Sequence, residues 1–135
     1  MSLLTVHINR STSPEMFRIL GEQELSFTQM KALFVLSERE GMSVKDISAY
    51  LSMSVAAMSR SVEGLVQRGY VARTECDTDR RTKRIALLPQ GREVLDRLLA
   101  ARTAALAAFA QELSDEERTA LLAALLPIAE RIKTP

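Results

Sequence analysis

The chain has 135 residues, 47% hydrophobic and 26% charged, with a formal net charge of +1, so size suits one domain, or one domain plus a dimerisation element, and overall charge names no partner. With no Trp, two Tyr and four Phe, any core must rest on aliphatic side chains and Met. The single cysteine, Cys76, excludes an intrachain disulfide and fits a reducing compartment. The N-terminus carries no secretory pattern, and the longest apolar run, residues 120–129, is too short to span a bilayer and contains Pro127. A cytoplasmic protein with no membrane partner is expected.

Residues 1–25 divide at Pro14 into a short apolar arm and a helix beginning near that proline, which suits a first turn and disrupts an interior. Ser26 with Gln29 three residues on is a capping box. It opens a helix carrying Met30, Leu33, Phe34 and Leu36, closed by Gly41. Ser43 with Asp46 starts a short helix over residues 44–51 that presents Ile47 and Leu51. After a turn at Ser52 and Met53, Ser54 caps a longer helix over residues 55–68. Its Met58, Val62 and Leu65 share one face, and Gly69 ends it. Two helices joined this tightly form a helix-turn-helix candidate.

Residues 70–75 read as a strand, 76–81 as a polar tip and 82–88 as a return strand, with Lys83, Ile85 and Leu87 alternating against Arg84, Ala86 and Leu88. Pro89 suits the first position of a long helix whose stripe is Val94, Leu95, Leu98, Leu99, Leu106, Phe109 and Leu113. Ser114 and Glu117 box the start of a last helix bearing Leu121, Leu122, Leu125, Leu126, Ile128 and Ile132, with a bend expected at Pro127. Seven alanines within residues 100–110 permit close helix approach. A small winged domain cannot cover these apolar stripes alone, which points to a homodimer. The expected fold is mainly α with a small β-hairpin wing. It comprises an N-terminal arm and helix (residues 1–25, part of the dimerisation region), a winged helix-turn-helix DNA-binding domain (26–88) and a helical dimerisation region (89–135).

Charge distribution carries the functional signal. Residues 60–84 hold seven cations against four acids, a local +3, whereas residues 112–118 hold four acids against one Arg. One face suits an anion, and double-stranded DNA is the best candidate. The reading end of the second motif helix comprises Ser54, Val55, Ala56, Ala57, Ser59 and Arg60. Arg60 can take guanine O6 and N7 or a phosphate, and Val55 and Ala57 can touch thymine methyls. In the wing, Arg80, Arg81 and Lys83 suit phosphate or a narrow minor groove, while Asp79 would hold a neighbouring guanidinium by bidentate hydrogen bonding. The bland readings are an ordinary capped surface helix and a solvated hairpin tip. Cys76 lies between Glu75 and Asp77 with no second thiol to resolve it, so redox sensing is disfavoured. His7 is the only histidine. No metal cluster, phosphate-binding Gly loop or nucleophile–base pair is legible, and neither a cofactor nor an enzyme is expected.

The pattern resembles the MarR (multiple antibiotic resistance regulator) family over residues 25–91. The resemblance rests on Leu25-Ser26-Phe27-Thr28-Gln29, Met53-Ser54, Met58-Ser59-Arg60, Leu65 with Arg68-Gly69-Tyr70-Val71, the Asp79-Arg80-Arg81 tip, and Leu87 to Gly91. It implies a triangular homodimer on a pseudo-palindromic operator, usually repressing, often released by a small aromatic acid or phenol as effector. Ser48 stands where the family usually has Ala, Ser52 where it has Gly, and Leu88 where it has a capping Thr. Val55-Ala56-Ala57 is less polar than usual. The rival class is a winged-helix protein-interaction module that binds no DNA, which the apolar reading end favours and the cationic wing opposes.

Overall fold

The computed structural model describes residues 3–75 and 83–133. Helix α1 (Leu3–Glu22) leads to α2 (Phe27–Glu38), a two-residue strand β1 (Met42–Ser43), α3 (Val44–Tyr50) and α4 (Val55–Gln67). Strands β2 (Val71–Glu75) and β3 (Lys83–Leu87) follow, then α5 (Pro89–Glu112) and α6 (Asp115–Lys133). The molecule is mainly helical with one small antiparallel sheet of order β1-β3-β2. Arg73 faces Ile85 across β2 and β3, and Met42 faces the same Ile85 from β1.

Local chemistry sets the helix boundaries. At the start of α2, the Ser26 hydroxyl accepts from the Gln29 amide at 3.2 Å and the Ser26 amide donates to Gln29 Oε1 at 2.9 Å. Ser43 and Asp46 repeat the reciprocal box at α3, and Ser114 with Glu117 does so at α6. Helix α4 stops because Gly69 adopts φ +69°, which lets its amide donate to Val66 O at 2.9 Å and the Tyr70 amide to Leu65 O at 3.0 Å. These two bonds satisfy carbonyls that the last turn would leave orphaned. Leu88 precedes α5 without a side-chain cap, and Pro89 occupies the first helical turn as expected.

One expectation is corrected, and one element had not been anticipated. The arm and the helix beginning near Pro14 are one continuous helix of 20 residues with Pro14 inside it. Proline removes a single backbone bond and costs about 3 kcal/mol, yet cooperative bonding on both sides carries the helix through. Strand β1 had no sequence signal, because two residues show no alternation. Pairing with β3 alone makes it a strand.

The core joins α1, α2, α3, α4, the sheet and the first half of α5. Ile19, Leu33, Leu36, Ile47, Met58, Val62, Leu65, Val71 and Ile85 are buried together, with Val94 and Leu98 closing it from α5. The apolar stripe of α5 leaves the core after Leu98: Leu99 is 42% exposed and Leu106 44%. Every large aliphatic of α6 named above is exposed.

Candidate nucleic-acid interface

The buried face of α4 fixes what its other face can present. Met58, Val62 and Leu65 point into the core, so Ser54, Val55, Ala56 and Arg60 are exposed while Ala57 and Ser59 are half-buried. The Ser54 hydroxyl accepts from the Ala57 amide at 3.2 Å, which leaves its own hydrogen to donate outward. Arg60 has no ion pair among the described residues. These six residues therefore share one end of one helix, four of them exposed.

That end is held firmly from behind. Gly64 admits α2 so closely that a Cβ there would lie 2.5 Å from Gln29 Nε2, which donates to Ser61 O. The glycine's intrinsic cost to the helix thus serves close packing. In the turn before α4, Ser52 adopts φ +53°, its amide donates to Ala49 O, and the Met53 amide donates to Ser48 O at 2.8 Å. Ser52 performs a glycine's conformational task at a cost. Ser48, buried, donates to Lys45 O at 2.8 Å and leaves no polar atom stranded.

Asp79, Arg80 and Arg81, like Cys76, lie outside the described residues. Lys83 is exposed at the start of β3, opposite Glu75 in register. Arg84 differs from its neighbours. Its Nη1 donates to Gly41 O at 2.5 Å, so this cation ties the root of the hairpin to the loop before β1. Arg73 on β2 pairs with Glu63 on α4 at 2.8 Å, joining hairpin and helix.

Glu22, the last residue of α1, and the two residues after it reach α5 and the chain just beyond α4 in succession. Glu22 accepts from Arg97 of α5 at 2.8 Å, and Gln23 Oε1 accepts from the Tyr70 hydroxyl at 2.9 Å. Glu24 pairs with Arg68, the cap of α4, at 3.7 Å. The Arg97 hydrogen bond holds the Glu22 carboxyl below its ordinary range, with Arg18 acting in the same direction. Sequence reasoning missed this junction and also the stacking of Arg39 on Tyr50, since only folding brings such distant positions together. Among the described residues no cluster of His, Cys, Asp and Glu could hold a metal, and no helix is long and apolar enough to cross a membrane.

A capped helix-turn-helix braced against a hairpin root defines a winged-helix protein. Residues 23–82 match the model of the MarR family. It is 27% identical over 104 residues to the transcriptional repressor MdtR of Bacillus subtilis, covering 77% of this chain and 67% of MdtR. The chain spans between 57% and 67% of the length of the curated relatives it matches. A MarR-family transcriptional regulator from Silicibacter pomeroyi is 28% identical, with TM-score 0.60 and coverage of 98% of this chain and 89% of that one. The fold also matches the structure of the S. aureus MepR–DNA complex, at TM-score 0.78 and 19% identity, covering 98% of this chain and all of that one. The curated relatives are named as transcriptional repressors or regulators.

Proposed function

We propose that the chain is a homodimeric, sequence-specific DNA-binding regulator of transcription that represses from a pseudo-palindromic operator. The observation that carries this reading is the exposed N-terminal end of α4, where Ser54, Val55, Ala56 and Arg60, which has no ion pair among the described residues, project from a helix whose rear is locked in the core. Small side chains allow the helix to enter a major groove closely, and one guanidinium supplies directional recognition. Ala57 and Ser59 flank that face, and Lys83 extends it towards the wing. Asp79, Arg80 and Arg81 complete the proposed contact set, as phosphate or minor-groove partners. MepR, whose solved complex contains DNA, has the same fold.

Dimerisation is supported by exposed aliphatics on α5 and α6, a density that a soluble single subunit rarely displays. Two copies related by a two-fold axis would bring two α4 helices to successive major grooves about 34 Å apart. Release by a small aromatic acid or phenol has a candidate location. An open cleft of about 470 Å³ between α1 and α5 is lined by Glu15, Ile19, Arg97 and four alanines. A ligand carboxylate there competes with Glu22 for Arg97, and Glu22 adjoins the residues that hold Tyr70 and Arg68. Such an effector shifts DNA affinity only by its differential binding to the two arrangements.

Titration of salt against affinity for random-sequence duplex DNA tests the reading. A DNA-binding dimer contacting six or more phosphates loses roughly a thousandfold in affinity between about 50 and 200 mM salt. Binding that is absent, or indifferent to salt, would leave the rival protein-interaction module as the better account.

A further inference from the structure

The described arginines fall into two groups. Arg18, Arg68, Arg73, Arg92, Arg97 and Arg118 each pair with an acid, and Arg84 donates to Gly41 O. Arg39, Arg60, Arg102 and Arg131 have no such partner among the described residues. Arg102 and Arg131 stand on the proposed dimerisation helices. Arg60 is on the reading helix. Arg39 remains, and it is placed by a specific contact: its guanidinium lies over the ring of Tyr50 at 5.0 Å from the centroid.

The location of this pair matters. Arg39 is the residue that caps α2, and Tyr50 is the last residue of α3. Tyr50 is half exposed and lies four residues before Ser54, which caps the reading end of α4. The pair therefore flanks the turn that precedes the proposed groove-reading face. Stacking occupies the flat face of a guanidinium and leaves its N–H edge free, fixed in direction without neutralising its charge. The acids adjacent in sequence do not quench it: Glu40 pairs with Arg92 instead, and Glu38 has no pair with it.

Resting on the DNA-binding reading above, we infer that Arg39, stacked on Tyr50, grips a backbone phosphate beside the groove that α4 enters. Tyr50 is then a positioning residue, acting through the guanidinium it orients. The contact anchors register and carries no sequence information, as phosphate contacts do.

The test measures duplex binding by the intact protein across a salt series for wild type, Arg39→Gln, Arg39→Lys and Tyr50→Leu. Arg39→Gln is expected to weaken binding to operator and random duplex by the same factor and to reduce the salt slope by about 1 per subunit. Arg39→Lys retains charge without a planar edge, so the slope stays near wild type while affinity falls. Tyr50→Leu is expected to weaken binding less than Arg39→Gln. An Arg39→Gln protein that melts lower but keeps the wild-type slope would make the pair merely structural and overturn the inference, leaving DNA binding intact. Wild type failing to bind any duplex overturns the broader reading as well.

Discussion

Ser52 occupies the turn between α3 and α4 at φ +53°, a conformation in which a side chain costs roughly 1–2 kcal/mol and glycine costs none. Among the described residues its hydroxyl makes no hydrogen bond that would offset this strain. Ser52→Gly is therefore expected to raise stability by about 0.5–1 kcal/mol, the strain relief less the extra chain entropy of glycine. A melting temperature that falls would show that the hydroxyl matters. Capping carboxylates give a second residue-scale test. Asp46 is held below its ordinary 3.8 by the Ser43 hydroxyl, and Glu117 below its ordinary 4.5 by the Ser114 amide. A carboxyl depressed in the folded state binds its proton more readily when unfolded. Its stabilisation is complete above the ordinary value and disappears as pH falls through the folded one. Stability should be flat above about pH 5 and decline below about pH 4, with a shallower decline in Glu117→Gln. An unchanged decline in that variant contradicts the assignment.

Elements bounded by local chemistry were legible in the sequence. Ser26, Ser43, Ser54 and Ser114 each mark a helix start because a hydroxyl three residues before an amide is a short-range signal. Gly69 marks a stop for the same kind of reason. What depended on distant chain was not legible: β1 exists because β3 lies beside it, and the Arg84 guanidinium donates to Gly41 O, 43 residues away. Pro14 misled because the penalty for one residue was weighed without the cooperative bonding around it. Gly91 shows how tightly the hairpin root and α5 are fitted. A Cβ there would overlap the Tyr70 carbonyl, the oxygen that accepts from the Leu88 amide at 3.0 Å. Gly91→Ala is expected to destabilise by about 1–3 kcal/mol, despite the better helix propensity of alanine, because backbone must move. Equal or greater stability by chemical denaturation would refute that packing.

At the scale of the whole molecule, the proposed reading face occupies one end of α4 and the uncovered aliphatics occupy α5 and α6, so the two proposed tasks are separable. Leu125 and Leu121 are exposed and outside the core, and replacing both with Glu is expected to yield a monomer by sedimentation with the melting transition of the winged domain preserved. Loss of folding, or a dimer that persists, would relocate the interface. Such a monomer should also bind an operator far more weakly, since the second half-site no longer benefits from a tethered partner. The composition of α4's reading end does not specify an operator: Ser54, Val55 and Ala56 are compatible with several base edges. The sequence bound is therefore the most direct readout of both claims. Selection from a random duplex pool should enrich a two-fold symmetric consensus with half-sites about one DNA turn apart, and Arg60→Ala should relax it at a symmetric pair of positions. A pool that remains random, or a consensus without symmetry, would contradict a dimer that reads DNA through α4.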